Sequence, residues 1–65
     1  MREALSLEAG KIYKVKHLKS KRWYEGKLKN IARMRTGAVL GFLILKNGQV
    51  KGLPITKYCK WYEGA

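Results

Sequence analysis

The chain has 65 residues, with fifteen Lys and Arg against four Asp and Glu, a formal net charge of +11, 46% hydrophobic residues and seven aromatic side chains. That length excludes a second domain, because neither half would bury enough apolar surface to offset chain entropy, and the aromatic content excludes a basic disordered tail. A compact body so charged repels itself and is most easily relieved by a dense anionic partner, so nucleic acid is the first expectation.

Residues 1–9 have fair helix propensity but run into Gly10, and nine residues are too few for an isolated helix; they read as an N-terminal arm packing Leu5 and Leu7 on a single domain, 10–65. From Lys11 the period changes to two, with Tyr13 and Val15 alternating with Lys14 and Lys16, which predicts a first strand over about 11–18. Lys19-Ser20-Lys21 reads as a turn. A second, strongly curved strand follows from Trp23, with Tyr24, Gly26 and Leu28 facing alike and Gly26 marking a bend, a bulge or a close backbone approach. Over 29–34 the phase is ambiguous between a bulge and a short helical turn. Residues 38–45 are a continuous apolar run that predicts a third strand, and Asn47-Gly48 predicts a type I′ hairpin into a short fourth strand at about 49–53. Pro54 cannot donate to a ladder, so the chain should leave the sheet there, make a single helical turn at Ile55-Thr56-Lys57, and finish with a strand over 58–62. The fold expected is all-β: a small, partly open five-stranded barrel.

Gly52-Leu53-Pro54-Ile55-Thr56-Lys57-Tyr58-Cys59 resembles the glycine, apolar, proline, spacer and tyrosine ending that closes Src-homology-3 barrels. Gly10-Lys11-Ile12-Tyr13-Lys14-Val15 looks like that family's entering strand, and Trp23-Tyr24-Glu25-Gly26 is similar to its aromatic pair followed by glycine. The resemblance implies a Src-homology-3-like barrel with its short helical turn before the last strand. Peptide-binding members carry an acidic loop ahead of the tryptophan, whereas 16–22 here is short and basic, which would repel a basic-flanked proline-rich peptide. The implied relatives are the wider group of small barrels, nucleic-acid binders among them.

Ten basic residues and one acid lie in 11–35. Lys14 and Lys16 should project from one face, joined by Lys19, Lys21 and Arg22, with Lys27, Lys29, Arg33 and Arg35 extending a phosphate-binding track. The alternative for such a stripe is a solvated face, but the net charge exceeds the magnitude of about 2 to 8 that solubility needs. Trp23-Tyr24 and Trp61-Tyr62 are adjacent aromatic pairs, so one member of each must face away from the core; Trp23 and Trp61 are candidates to stack on bases, Trp23 the better, unless these rings only cover the barrel ends or pack against the arm. In 38–45, Leu40, Phe42 and Ile44 share one face and Val39, Leu43 and Leu45 the other, and the face outside the core should meet the arm or a second copy, giving a homodimer through the 38–45 strand.

His17 has no Ser, Cys or Asp at a recognisable spacing, and Cys59 sits among apolar neighbours, so both read as structural or surface residues. No carboxylate pair, metal cluster or Gly-rich phosphate loop is apparent, so no catalysis, cofactor, metal or small-molecule substrate is expected. A lone Cys excludes an internal disulfide and fits a reducing compartment. No run approaches about 18 apolar residues, and no charged-then-apolar leader is seen, so no membrane association and a cytoplasmic location are expected. The function expected is non-catalytic, regulatory or accessory nucleic-acid binding, to DNA or RNA and without sequence specificity. The competing class is a protein-interaction module, a small inhibitor or assembly factor docking its basic face on an acidic protein; a subunit of a larger complex is a third.

Overall fold

Alternation of apolar and basic residues builds the first strand: in the computed structural model, which describes residues 2–55 and 58–64, Tyr13 and Val15 are buried while Lys14 and Lys16 lie on the opposite face. Five strands follow in order, β1 (Ile12–His17), β2 (Arg22–Arg33), β3 (Val39–Leu45), β4 (Val50–Pro54) and β5 (Cys59–Glu63). They form one antiparallel sheet, ordered β4-β3-β2-β1-β5.

The long β2 belongs to both halves of this sheet, because its residues 22–27 pair with β1 and its residues 26–33 with β3. Between Leu28 and Asn30 the register shifts, leaving Lys29 as the extra residue of a β-bulge. The ambiguous phase of 29–34 is therefore a bulged strand, with no helical turn. One added residue reverses side-chain parity, so Gly26 and Leu28 look inward before the bulge and Ile31 and Arg33 share that side after it, opposite Gly41 and Val39. The expected curvature and the close approach at Gly26 are both present: a Cβ there would strike the Ile44 carbonyl and stand 2.9 Å from its carbon.

Bending at β2 folds the two halves toward each other around Tyr13 and Val15 of β1, Leu28 of β2, Leu43 of β3, Leu53 of β4, and Cys59 and Trp61 of β5. Trp61 joins the halves. Its ring meets Tyr13 edge-on at 6.2 Å, its indole Nε1–H donates to the Pro54 carbonyl at 3.1 Å, and it lies so close to β3 that a Cβ on Gly41 would stand 2.6 Å from its ring. An indole buried this far requires such an acceptor.

Several expectations are corrected. The sheet is not closed into a barrel, because β4 and β5 remain its edges: β4 ends on Pro54, which has no N–H to offer, and β5 is occupied by the arm, where Ala4 N–H donates to the Trp61 carbonyl and Glu3 bridges Tyr62. No helical turn is seen among the described residues; Ile55 is a bend, and Thr56 and Lys57 of the expected turn lie outside them. Leu7 and Ala4 pack on the core, but Leu5 is 96% exposed. The Asn47-Gly48 turn is also not type I′. Only Gly48 has positive φ, Gly48 N–H donates to the Leu45 carbonyl, and Leu45 pairs with Gln49, which is a three-residue loop ending in a left-handed glycine. The 34–38 turn repeats this pattern with Gly37.

The apolar strand β3 turns Gly41, Leu43 and Leu45 inward and Leu40, Phe42 and Ile44 outward. The arm packs beside Trp61 on β5 and leaves the outward face uncovered, with Ile44 and, across on β4, Val50 both exposed.

Candidate nucleic-acid interface

Strand pairing alone determines which side chains share the outer face of β5, β1 and β2. Lys16 lies opposite Trp23 on one side and Lys60 on the other, and Lys14 lies opposite Glu25 and Tyr62. With neighbouring strands about 4.8 Å apart, three lysines and two aromatic rings occupy two adjacent cross-strand rows. Ile12 and Lys27 form the next row.

Each aromatic pair splits as alternation demands: Trp61 faces the core and Tyr62 faces out, and Trp23 faces out while Tyr24 is half-buried. The two outward rings meet diagonally across β1, with centroids 5.7 Å apart and planes inclined at 35°. Lys16 Nζ lies 5.8 Å from the Trp23 ring centre, in cation–π contact. Trp23 is 49% exposed, so about half of this side chain remains accessible to solvent beside Tyr62 and Lys16. The acid on this face, Glu25, reaches Lys14 only at 4.0 Å, between exposed groups, so it neither fixes Lys14 nor cancels the positive field.

At the end of this face the β1–β2 connection is held in one shape. Lys21 N–H donates to the His17 carbonyl at 2.7 Å, Ser20 N–H to His17 Nδ1 at 3.3 Å, Arg22 N–H to Ser20 Oγ at 3.4 Å, and Leu18 N–H to the Tyr58 carbonyl at 2.9 Å. Lys21 sits at φ 58°, a left-handed conformation that costs a residue with a Cβ roughly 1–2 kcal/mol. Lys19 and Lys21 are displayed on this loop, both exposed.

The structure thus brings Lys14, Lys16, Trp23 and Lys27 onto one face, with Lys19 and Lys21 at its end. Arg22 has the opposite parity and looks inward beside His17, with which it pairs. Lys29 is the bulge residue, Arg33 lies after it on the inward side beside Ile31, Val39 and Trp61, and Arg35 is in the β2–β3 turn. The ten-residue basic segment is therefore not a single track. Lys60 and Tyr62 belong to the face although sequence reasoning left them out of it; the alternation Lys60-Trp61-Tyr62 carries their parity, but that β5 lies beside β1 is a long-range fact.

Among the described residues no three His, Cys, Asp or Glu side chains converge as a metal site would require. Burial pushes the Cys59 thiol above its ordinary value, which keeps it protonated and unreactive in the core. No helix among the described residues is long and apolar enough to cross a membrane. Comparison with known proteins finds no matching family model, no matching curated protein and no matching solved structure.

Proposed function

We propose that this protein binds nucleic acid without catalysis, taking unpaired bases on the Trp23–Tyr62 platform and phosphates on Lys14, Lys16 and Lys60. The observation that carries the reading is the open Trp23 ring paired with Tyr62 in the midst of these lysines, on the outside of the sheet. This half-exposed indole gives the fold only its ring contact with Tyr62 and its cation–π contact with Lys16, whereas a base stacked on it contributes about 1–3 kcal/mol, whichever base it is. Bases inside a duplex do not offer their faces, so the arrangement favours single strands, and stacking with phosphate contact selects little sequence. The role is regulatory or accessory and the location cytoplasmic. The scaffold is read as an opened Src-homology-3-like barrel, supported by the order of the three resembling segments, at the entry to β1, in β2 and at the end of β4.

Titration of labelled single-stranded DNA, single-stranded RNA and duplex DNA at two salt concentrations tests this, with Trp23 fluorescence as a second signal. Tightest binding to single strands, weakening with salt, is expected. Absence of binding at low salt sinks the reading and leaves an acidic protein partner as the occupant of the face. The uncovered Leu40, Phe42 and Ile44 face supports a homodimer through 38–45 as well, measured by sedimentation of the wild type against Ile44→Lys; equal monomer masses at high concentration would refute it.

A further inference from the structure

On the other side of the β1–β2 hairpin from the aromatic platform, a groove of about 350 Å³ opens between that hairpin and β4. His17 and Arg22, the last pair of the β1–β2 ladder, meet Tyr24 and Lys51 in its wall. Lys51 Nζ rests 5.6 Å from the Tyr24 ring centre, so its charge is held over the groove by a cation–π contact. No acid lines it, and the ion pairs formed among the described residues, Lys11–Glu8 and Lys14–Glu25, leave Arg22 and Lys51 out. His17 Nδ1 accepts the Ser20 N–H, which puts the proton of the neutral ring on Nε2 and makes that nitrogen a donor. The site holds a planar guanidinium fork, an ammonium and an imidazole donor against an aromatic wall, a donor set suited to a phosphate ester oxygen and to no cation.

We propose that this groove binds a backbone phosphate of the same strand whose bases lie on the platform, so that the bound nucleic acid turns round the hairpin end. The inference rests on the platform reading. Its geometry follows from parity: Lys16 and Trp23 face outward, their chain neighbours His17 and Arg22 face inward, and the exposed Lys19 and Lys21 stand on the connection between the two sides. Three of the four residues of that connection, Leu18-Lys19-Ser20-Lys21, are basic or small and polar, and a path over it from the Trp23 ring into the groove crosses the thickness of one hairpin, about 10 Å, or two to three nucleotides.

The test compares the full chain with the double variant Arg22→Gln, Lys51→Gln against single-stranded oligonucleotides of about two and about eight nucleotides, the shorter spanning the platform alone. Arg35→Gln with Lys46→Gln, in the two glycine turns, removes the same charge elsewhere. The groove variant is expected to bind the short oligonucleotide like the wild type, to bind the long one about tenfold more weakly, and to lose about 1.4 from the salt slope, roughly 0.7 per phosphate contact. On isotopically labelled protein, the Gly52 amide and the Arg22 Nε should shift with the long oligonucleotide and not with the short one. Equal losses at both lengths, equal losses in the charge-matched control, or no loss at all overturn the groove. If the wild type binds neither length at low salt, or if Trp23→Ala leaves short-oligonucleotide affinity unchanged, the platform reading fails and the path falls with it.

Discussion

Replacing Trp23 by Ala separates a binding ring from a structural one. Trp23 is half exposed and stands outside the buried cluster; its neighbours are Tyr62, on the same outer face, and the Lys16 ammonium. Removing it costs the fold only an exposed ring contact, about 0.5–1.5 kcal/mol, out of a total stability of roughly 3–10 kcal/mol for a domain this size. The same change removes the stacking surface for one base, about 1–3 kcal/mol, which is about a 5- to 150-fold loss of affinity. Fluorescence anisotropy with a single-stranded oligonucleotide at 0.1 M salt measures the loss, and thermal melting by circular dichroism shows that the fold is intact. The wild type offers an internal check, because Trp61 is only 5% exposed and should stay unquenched while Trp23 is quenched by a bound base. Unchanged affinity in a variant that melts normally would refute the reasoning and make the Trp23–Tyr62 pair a cover for β1.

Lys14→Glu with Lys16→Glu should weaken binding of any single strand while leaving the fold in place, because both ammonium groups are on the outer face; the milder Lys14→Gln, Lys16→Gln pair should lower the salt slope by about 1.4. Gly41→Ala forces Trp61 off β3 and should cost about 1–3 kcal/mol, lowering the melting temperature by about 4–8 °C per kcal/mol; a melting temperature within 2 °C of wild type, by the scatter of such measurements, would show that Trp61 can move. Gly26→Ala, which meets backbone instead of a side chain, should be worse than Gly41→Ala in the same melt. The Cys59 thiol is held above its ordinary 9.0 by burial, so the unfolded chain gives up that proton first and stability falls as pH rises past 9. Cys59→Val should lack this part of the alkaline loss in urea titrations at pH 8 and 10, and identical curves for both chains would contradict it.

The strands were legible because their signals are local. Alternation in 11–18 placed Tyr13 and Val15 inside and Lys14 and Lys16 outside, Pro54 marked the end of β4, and the adjacent aromatics had to split between faces. What misled was also local: Asn47-Gly48 is a frequent type I′ dipeptide, yet the register of Ile44 with Val50 leaves room for a third loop residue, so Asn47 keeps negative φ. The expected track through Lys29, Arg33 and Arg35 crossed the stretch whose phase the sequence left open, and there a bulge at Lys29 puts Arg33 on the inward side while Arg35 falls in the turn beyond β2.

By itself, then, the sequence determined that the chain is a small all-β domain with a large positive charge and with Trp23 on a wet face, since composition and a two-residue period depend only on neighbours along the chain. Only the tertiary structure decided that β5 lies beside β1, which brings Lys60 and Tyr62 to Trp23, that Arg22 meets Lys51 across a groove, and that the sheet stays open between β4 and β5. Pairing between strands far apart in the chain is chosen by which apolar faces can be buried together, here Trp61 over Gly41 and against Tyr13, and no local pattern encodes that choice.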